Sequence, residues 1–324
     1  MSDIYAGIDL GGTMLKCALA GEDGKILAEK SVPTESHEGP EHVLRRIADL
    51  VKGLAKSQDV KPAALGMGVP GLVDLKNGVT KFLPNLPTQW RDVHVRYELS
   101  PKVECPVYLL NDVRTATLGE LTFGHGKDAN TMLFFALGTG IGGGVVVDDK
   151  LRLGPLGAAG ELGHQTILPD GPRCGCGNRG CLETLARAPA IVGEGIRLLL
   201  SGQAPKLHEI VKGDVARLTP KEMAQAAKDG DEKVAEAITR AATYLGIGVS
   251  NLVTALHPDL VVLGGGAAAI GDLLFDTVRQ VVRERVKMFP VDDVRIEPSM
   301  LAEKAGVLGA VALAMKKGLL DELE

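Results

Sequence analysis

One histidine and three cysteines, His164, Cys174, Cys176 and Cys181, fall close together in a chain of 324 residues. An imidazole with three thiolates is the donor set of a tetrahedral structural zinc site, and four protein ligands leave no open position for catalysis. The spacers in Cys174-Gly-Cys176-Gly-Asn-Arg-Gly-Cys181 are short and glycine-rich, so the backbone can fold around an ion. Glu161 lies three residues before His164, and Glu183 two residues after Cys181. A zinc-braced loop would hold both carboxylates rigidly as acceptors for the hydroxyls of a polyol. Without that brace each reads as a solvated surface charge. Cys17 and Cys105 stand apart and read as ordinary buried thiols.

A second kind of chemistry is written in glycine. Asp9-Leu-Gly11-Gly12-Thr13, with Lys16 after it, reads as a tight turn between two strands. Paired glycines let backbone amides approach a phosphate, the Thr hydroxyl adds a donor, and the preceding carboxylate can hold Mg²⁺ directly or through water. A plain β-hairpin is the equal alternative for this segment alone. Gly138-Thr139-Gly140 supports the phosphate reading, because two such turns can clamp one polyphosphate chain. Gly264-Gly265-Gly266 follows a strand and is expected to open a helix, whose N-terminus would face a nucleotide. No Gly-x4-Gly-Lys-[Ser/Thr] sequence occurs, and the Gly-x-Gly-x-x-Gly/Ala matches at 138–143 and 264–269 are weak evidence for a dinucleotide. Asn111-Asp112 is placed at the end of a buried strand, where active-site groups of open α/β sheets collect. Asp112 there could act as general base, while a helix N-cap is the simpler use of the pair.

The elements that must position these residues follow from hydrophobic period. Strands are expected over Ile4–Leu10, Met14–Ala20 and Lys25–Val32, then a helix over 41–56 with Val43, Leu44, Ile47, Leu50, Val51 and Leu54 on one face. Strands Ala64–Val69 and Val107–Leu110 follow, then a helix over Thr115–Leu121. At 131 the opening pattern recurs, with strand Thr131–Leu137, a glycine-threonine turn and return strand Gly142–Val147. Asp148-Asp149-Lys150 matches Glu22-Asp23-Gly24-Lys25 as a second turn. Two such hairpins about 127 residues apart point to an internal duplication. A long stripe, Val234, Ile238, Ala241, Leu245, Val249, Leu252 and Leu256, predicts a helix stopped by His257-Pro258. Strand Asp259–Leu263 and a final helix over 304–317 complete the pattern. The reading is an α/β protein with a first lobe over 1–112, joined by the C-terminal helix 304–324, and a larger lobe over 113–303 carrying the zinc loop.

Composition narrows the classes. Hydrophobic residues make up 45% and charged residues 24%, which excludes wholesale disorder. The net charge of -5 and the scarcity of aromatics (one Trp, four Tyr, six Phe) argue against a nucleic-acid partner. The uncharged stretches 129–147 and 241–258 are broken by glycines or carry a polar face, so no membrane span is expected. With no basic-then-apolar leader at the start, a cytoplasmic location is expected.

These residues together resemble the ROK group of repressors, open-reading-frame proteins and sugar kinases. The resemblance runs nearly the full length. It is carried by D-L-G-G-T at 9–13, G-M-G-V-P-G-L-V-D at 66–74, L-N-D-V-R-T-A-T-L-G-E at 110–120 and G-T-G-I-G-G-G at 138–144. G-E-L-G-H at 160–164, C-G-C-G-N-R-G-C-L-E at 174–183 and V-L-G-G-G at 262–266 complete the set. The resemblance implies the actin-like, duplicated ribonuclease-H-type ATPase fold, two lobes with a cleft between them. It also implies transfer of the γ-phosphoryl of ATP, with Mg²⁺, to a sugar hydroxyl, usually O6 of a hexose.

By the same resemblance Asp112 is the catalytic base and Asn111 a sugar ligand. Glu161, His164 and Glu183 would bind hydroxyls around C1 to C3, His164 also ligating zinc through its other nitrogen. Asp9, Gly11, Gly12, Thr13, Lys16, Gly138, Thr139 and Gly140 would surround the phosphates and metal, and Gly265 and Gly266 would lie against the nucleoside. The segment Leu83-Pro84-Asn85-Leu86-Pro87, then Trp90-Arg91-Asp92-Val93 after an inserted Thr88-Gln89, looks like the glucokinase branch and brings Asn85 to the sugar. Fructose, mannose, N-acetylglucosamine and N-acetylmannosamine are the alternative substrates, and a sugar-responsive regulator the alternative class. Asp9 lies too near the start of the sequence for a preceding helix-turn-helix to be expected. The resemblance further implies a homodimer or homotetramer.

Overall fold

The structure is a computed structural model that describes residues 3–155 and 157–322. In chain order its strands and α-helices are β1 (Ile4–Leu10), β2 (Met14–Gly21), β3 (Ile26–Pro33), α1 (Pro40–Ser57), β4 (Leu65–Val69), β5 (Leu72–Asp74), β6 (Val79–Phe82), α2 (Val95–Val103), β7 (Val107–Asn111) and α3 (Asp112–Phe123). Then come β8 (Met132–Leu137), β9 (Ile141–Val147), β10 (Lys150–Leu151), α4 (Leu182–Ala186), α5 (Ala188–Leu200), α6 (Pro205–Val211), α7 (Pro220–Lys228) and α8 (Glu232–Leu256). The last are β11 (Leu260–Gly264), α9 (Asp272–Arg285), β12 (Arg295–Pro298) and α10 (Ala305–Met315).

The chain forms two compact units. One comprises Met1–Ala129, Asp149–Gly160 and Met300–Glu324, and the other Asn130–Asp148 and Glu161–Ser299. In the first unit the sheet order is β3-β2-β1-β4-β7, with β1, β2 and β3 antiparallel and β4 and β7 parallel to β1. In the second the order is β9-β8-β11-β12. There β8 and β9 are antiparallel, and β11 and β12 run parallel to β8. The two sheets therefore repeat one topology: a hairpin whose first strand is followed, on the side away from its partner, by two parallel strands in succession. The duplication expected from the two glycine-threonine turns is present in the strand order.

The first unit does not end at the expected 112 but runs on to Ala129, and the reason is helix packing. α10 is apolar on every side and correspondingly buried at Ala305 and from Val307 to Ala314. It lies against β1, β4 and α3. Glycines permit the approach: a Cβ on Gly66 of β4 would strike the Ala310 carbonyl, and one on Gly309 would strike the Thr115 carbonyl of α3. This glycine-mediated contact holds α3 in the first unit. The separate inclusion of residues 149–160 left no mark in the hydrophobic period.

In the second unit α8 buries Val234, Ile238, Ala241, Leu245 and Val249 against its neighbours. The expected stripe is shorter than read: Leu256 is exposed, and the last buried position is Val253. His257 closes the helix in the left-handed conformation, its N–H donating to the Val253 carbonyl. No helix among the described residues is long and apolar enough to cross a membrane.

Candidate active site

In the first unit Asp9, Gly68 and Leu110 are register neighbours across β1, β4 and β7, so Asp9 and the Asn111-Asp112 pair stand at the same, C-terminal edge of the parallel strands. Asp112 opens α3, and its Oδ1 accepts from the Val113 N–H at 2.9 Å. Burial raises its pKa from 3.8 to about 6; the Val113 N–H pulls the other way, and nearby Asp9 raises it further. Burial also raises the Asp9 pKa, against the attraction of Lys16, its cross-strand partner. The Asp9 carboxylate faces the start of α10, where a Cβ on Gly306 would come within 2.8 Å of its Oδ2.

The turn after Asp9 is braced from behind. Thr34 Oγ1 donates to the Gly11 carbonyl at 2.7 Å, and Ser36 Oγ to the Gly12 carbonyl at 3.0 Å. The Gly11 N–H is spent on Met14, while the amides of Gly12 and Thr13 have no hydrogen-bond acceptor among the described residues. Fixed carbonyls and open amides are the arrangement of an anion cradle. Asn85 sits beside this turn, its carbonyl 3.3 Å from where a Gly12 Cβ would be. Lys16 Nζ reaches the Glu303 carbonyl at 3.3 Å.

Asn111 serves as the N-cap that its position allowed: Oδ1 accepts from the N–H groups of Val113 (3.1 Å) and Arg114 (3.3 Å). Its Nδ2 donates to the Gly71 carbonyl at 3.3 Å. Arg114, which the sequence did not single out, is buried and fastens the pair. Nη1 donates to Asn111 Oδ1 at 2.8 Å, Nε to the Ala159 carbonyl at 2.9 Å and Nη2 to the Ala158 carbonyl at 2.9 Å. The residue type by itself gave Arg114 no assigned role; its burial with three hydrogen bonds is what marks it.

In the second unit the four expected metal ligands converge. One ligand atom from each of His164, Cys174, Cys176 and Cys181 lies within 4.8 Å of the others. Tetrahedral zinc with Zn–S near 2.3 Å and Zn–N near 2.0 Å requires S–S edges of about 3.8 Å and S–N edges of about 3.5 Å. Cys176 and Cys181 Sγ are 3.7 Å apart, and Cys174 Sγ is 3.6 Å from His164 Nδ1, so the donors fit the ion. With Nδ1 turned to the thiols, His164 Nε2 points the other way, 3.9 Å from Glu161 Oε2. The loop is closed by backbone bonds, Cys174 N–H to Asn178 (2.8 Å) and Gly180 N–H to Pro172 (2.8 Å). Gly180 has positive φ, and a Cβ there would collide with the Leu168 carbonyl.

Glu183 joins this cluster to the glycine turn. Its Oε2 accepts from the Ile141 N–H at 3.0 Å, its Oε1 lies 3.9 Å from Cys174 Sγ, and a Cβ on Gly140 would fill the space the carboxylate uses. Gly138 and Gly140 close the turn between β8 and β9, and Ala188 N–H donates to the Gly138 carbonyl. Beside it, at the end of parallel β11, Gly265 has φ +86° and packs on the Leu137 backbone. Gly266 has open space where a Cβ would stand. One expectation is corrected here. The glycine triplet does not open a helix directly: a 3₁₀ turn over Gly266–Ile270 and Gly271 intervene before α9 begins at Asp272. Positive φ at Gly265 and Gly271 bends the chain away from α-helical geometry.

The ROK family model matches residues 5–317. The chain belongs to the ROK family. It is 36% identical over 314 residues to the glucokinase of Thermotoga maritima, covering 96% of this chain and 97% of that protein. It is 33% identical to the xylose repressor of Caldicellulosiruptor bescii over 95% of this chain and 77% of the repressor. The ROK glucokinase of Streptomyces griseus, solved in complex with glucose and AMPPNP, superposes with a TM-score of 0.82 at 31% identity, covering 97% and 99% of the two chains. The fold of this ROK protein is thus the mixed α/β, actin-like ATPase fold.

Proposed function

We propose that this ROK protein is a sugar kinase that transfers the terminal phosphoryl of ATP to O6 of a hexose, glucose before other sugars. The observation that carries the reading is Asp112: a carboxylate at the strand edge, raised to about 6, beside a braced turn with open amides. A base of that pKa is ionised at neutral pH yet close enough to it to share a proton with an attacking hydroxyl. Glucose is favoured by the Leu83–Pro87 and Trp90–Val93 segments and by the glucokinases among the relatives.

Phosphoryl transfer is chiefly positioning and charge stabilisation. Mg²⁺ would neutralise charge on the phosphates, and Asp9 is the carboxylate placed to hold it, directly or through water. The amides of Gly12 and Thr13 receive phosphate oxygens, with Gly11 shaping the turn and Lys16 adding positive charge. Gly138, Thr139 and Gly140 form the corresponding turn of the second unit, and Gly265 and Gly266 leave room for the nucleoside. Asp112 takes the proton from the sugar O6, and Asn111 and Asn85 hold adjacent hydroxyls. Glu161 and Glu183 accept from the hydroxyls around C1 to C3, and His164, its Nδ1 committed to the metal site, donates from Nε2–H to one of those oxygens. His164 Nδ1, Cys174, Cys176 and Cys181 would hold zinc, which would supply rigidity only and fix the imidazole whose other nitrogen meets the sugar.

ADP release from Mg-ATP across free hexoses and N-acetylhexosamines tests the assignment. Turnover greatest on glucose is expected. Preference for an acetylated sugar would reject the glucose reading and keep the kinase, whereas no turnover on any sugar would reject both.

A further inference from the structure

A cavity of about 700 Å³ lies wholly within the first unit, lined by none of the residues assigned above although Leu72 on its rim follows Gly71, the partner of Asn111. One wall is the β5–β6 hairpin, with Leu72, Asp74, Lys76 and Lys81; the other is the segment Lys150–Pro155, with Arg152. The floor is apolar, made by Val73, Leu75, Leu151 and Leu153, and Leu72 is exposed at the edge. Four cations thus face one carboxylate in a protein whose net charge is -5.

The charges are not all spoken for. Lys81 pairs with Asp92 at 3.0 Å, but the side chains of Lys76, Lys150 and Arg152 have no acidic partner among the described residues. Asp74 is turned into its own hairpin, where Oδ1 accepts from the Asn77 N–H (3.0 Å) and Oδ2 from Asn77 Nδ2 (2.9 Å). Those bonds hold its pKa below the usual range, so it stays ionised. The walls are firmly set. Arg96 donates from Nη2 to the Leu75 carbonyl, from Nη1 to the Lys76 carbonyl and from Nε to the Val107 carbonyl on β7.

We infer that this cavity is a second binding site, for a small phosphate ester. Its phosphate would lie among Lys76, Lys150 and Arg152, and its organic part on the leucine-lined floor. A volume of this size suits a small organic molecule rather than a protein surface. Three unpaired cations around an apolar floor call for a ligand that is anionic at one end only.

Calorimetric titration with inorganic phosphate and with phenyl phosphate, on the wild type and two surface variants, tests the inference without using turnover. Wild type should bind phenyl phosphate several-fold more tightly than phosphate. K76A/K150A/R152A should weaken both by roughly tenfold, as three exposed ion pairs warrant. Leu72→Ser should erase most of the phenyl advantage and leave phosphate binding unchanged. Equal binding of both probes by wild type and the triple variant would overturn the site, as would saturation by an acidic peptide with no response to either phosphate. Neither result would bear on the kinase reading, because none of the substituted residues belongs to it.

Discussion

Replacing Asp112 with Asn should slow phosphoryl transfer by about 10² to 10⁴ and at the same time make the protein more stable at neutral pH. The rise of the Asp112 pKa from 3.8 to about 6 means that the fold prefers the protonated carboxyl. Stability from this group is therefore complete below about pH 4, falls as pH rises from about 4 to 6, and is constant above. A rise of that size corresponds to about 3 kcal/mol at neutral pH, and solvent at this partly buried carboxyl reduces the realised value to about 1–3 kcal/mol. Asparagine keeps the Oδ1 acceptor for the Val113 N–H and carries no charge to bury. Urea unfolding at pH 8 and at pH 4 measures the difference. D112N should be the more stable at pH 8, with the gap closing towards pH 4; equal stability at pH 8, or a gap that widens on acidification, would refute the reasoning.

Other perturbations follow from the same geometry. For wild type, kcat/KM for the sugar should fall tenfold per pH below about 6, as Asp112 takes up a proton; a flat profile from pH 5 to 8 would remove it as base. Gly309→Ala should destabilise the first unit by about 1–3 kcal/mol or more, because the new methyl meets the Thr115 carbonyl, and thermal unfolding would show it. Metal analysis should find one zinc per chain; Cys176→Ser should lose it and raise the sugar KM more than it lowers kcat. Gly265→Ala should raise the KM for ATP while leaving sugar binding intact, since φ +86° and the Leu137 carbonyl exclude a side chain there.

Much of this molecule is legible in its sequence because the signals are local. The glycine-threonine turns, the apolar strands before them and the four metal ligands all act within a few residues of one another, and the duplicated sheet follows from the first two. What was not legible depends on contacts between distant segments. Arg114 acquires its role only when the carbonyls of Ala158 and Ala159 arrive beside α3, and Thr34 and Ser36 only when they meet the carbonyls of Gly11 and Gly12. The inclusion of α3 in the first unit rests on a glycine pressed against a helix almost 200 residues away. The helix misplaced at Gly264–Gly266 shows the same limit. A glycine triplet fits both a helix start and a 3₁₀ turn, and the positive φ at Gly265 decides between them.

Transfer by D112N, set against wild type with sugar binding measured in parallel, tests the central claim most directly. A loss of about 10² to 10⁴ in kcat with the sugar Kd little changed is predicted for the removal of a general base. A variant that retained kcat within a few-fold of wild type would contradict the assignment of Asp112 and the mechanism built on it.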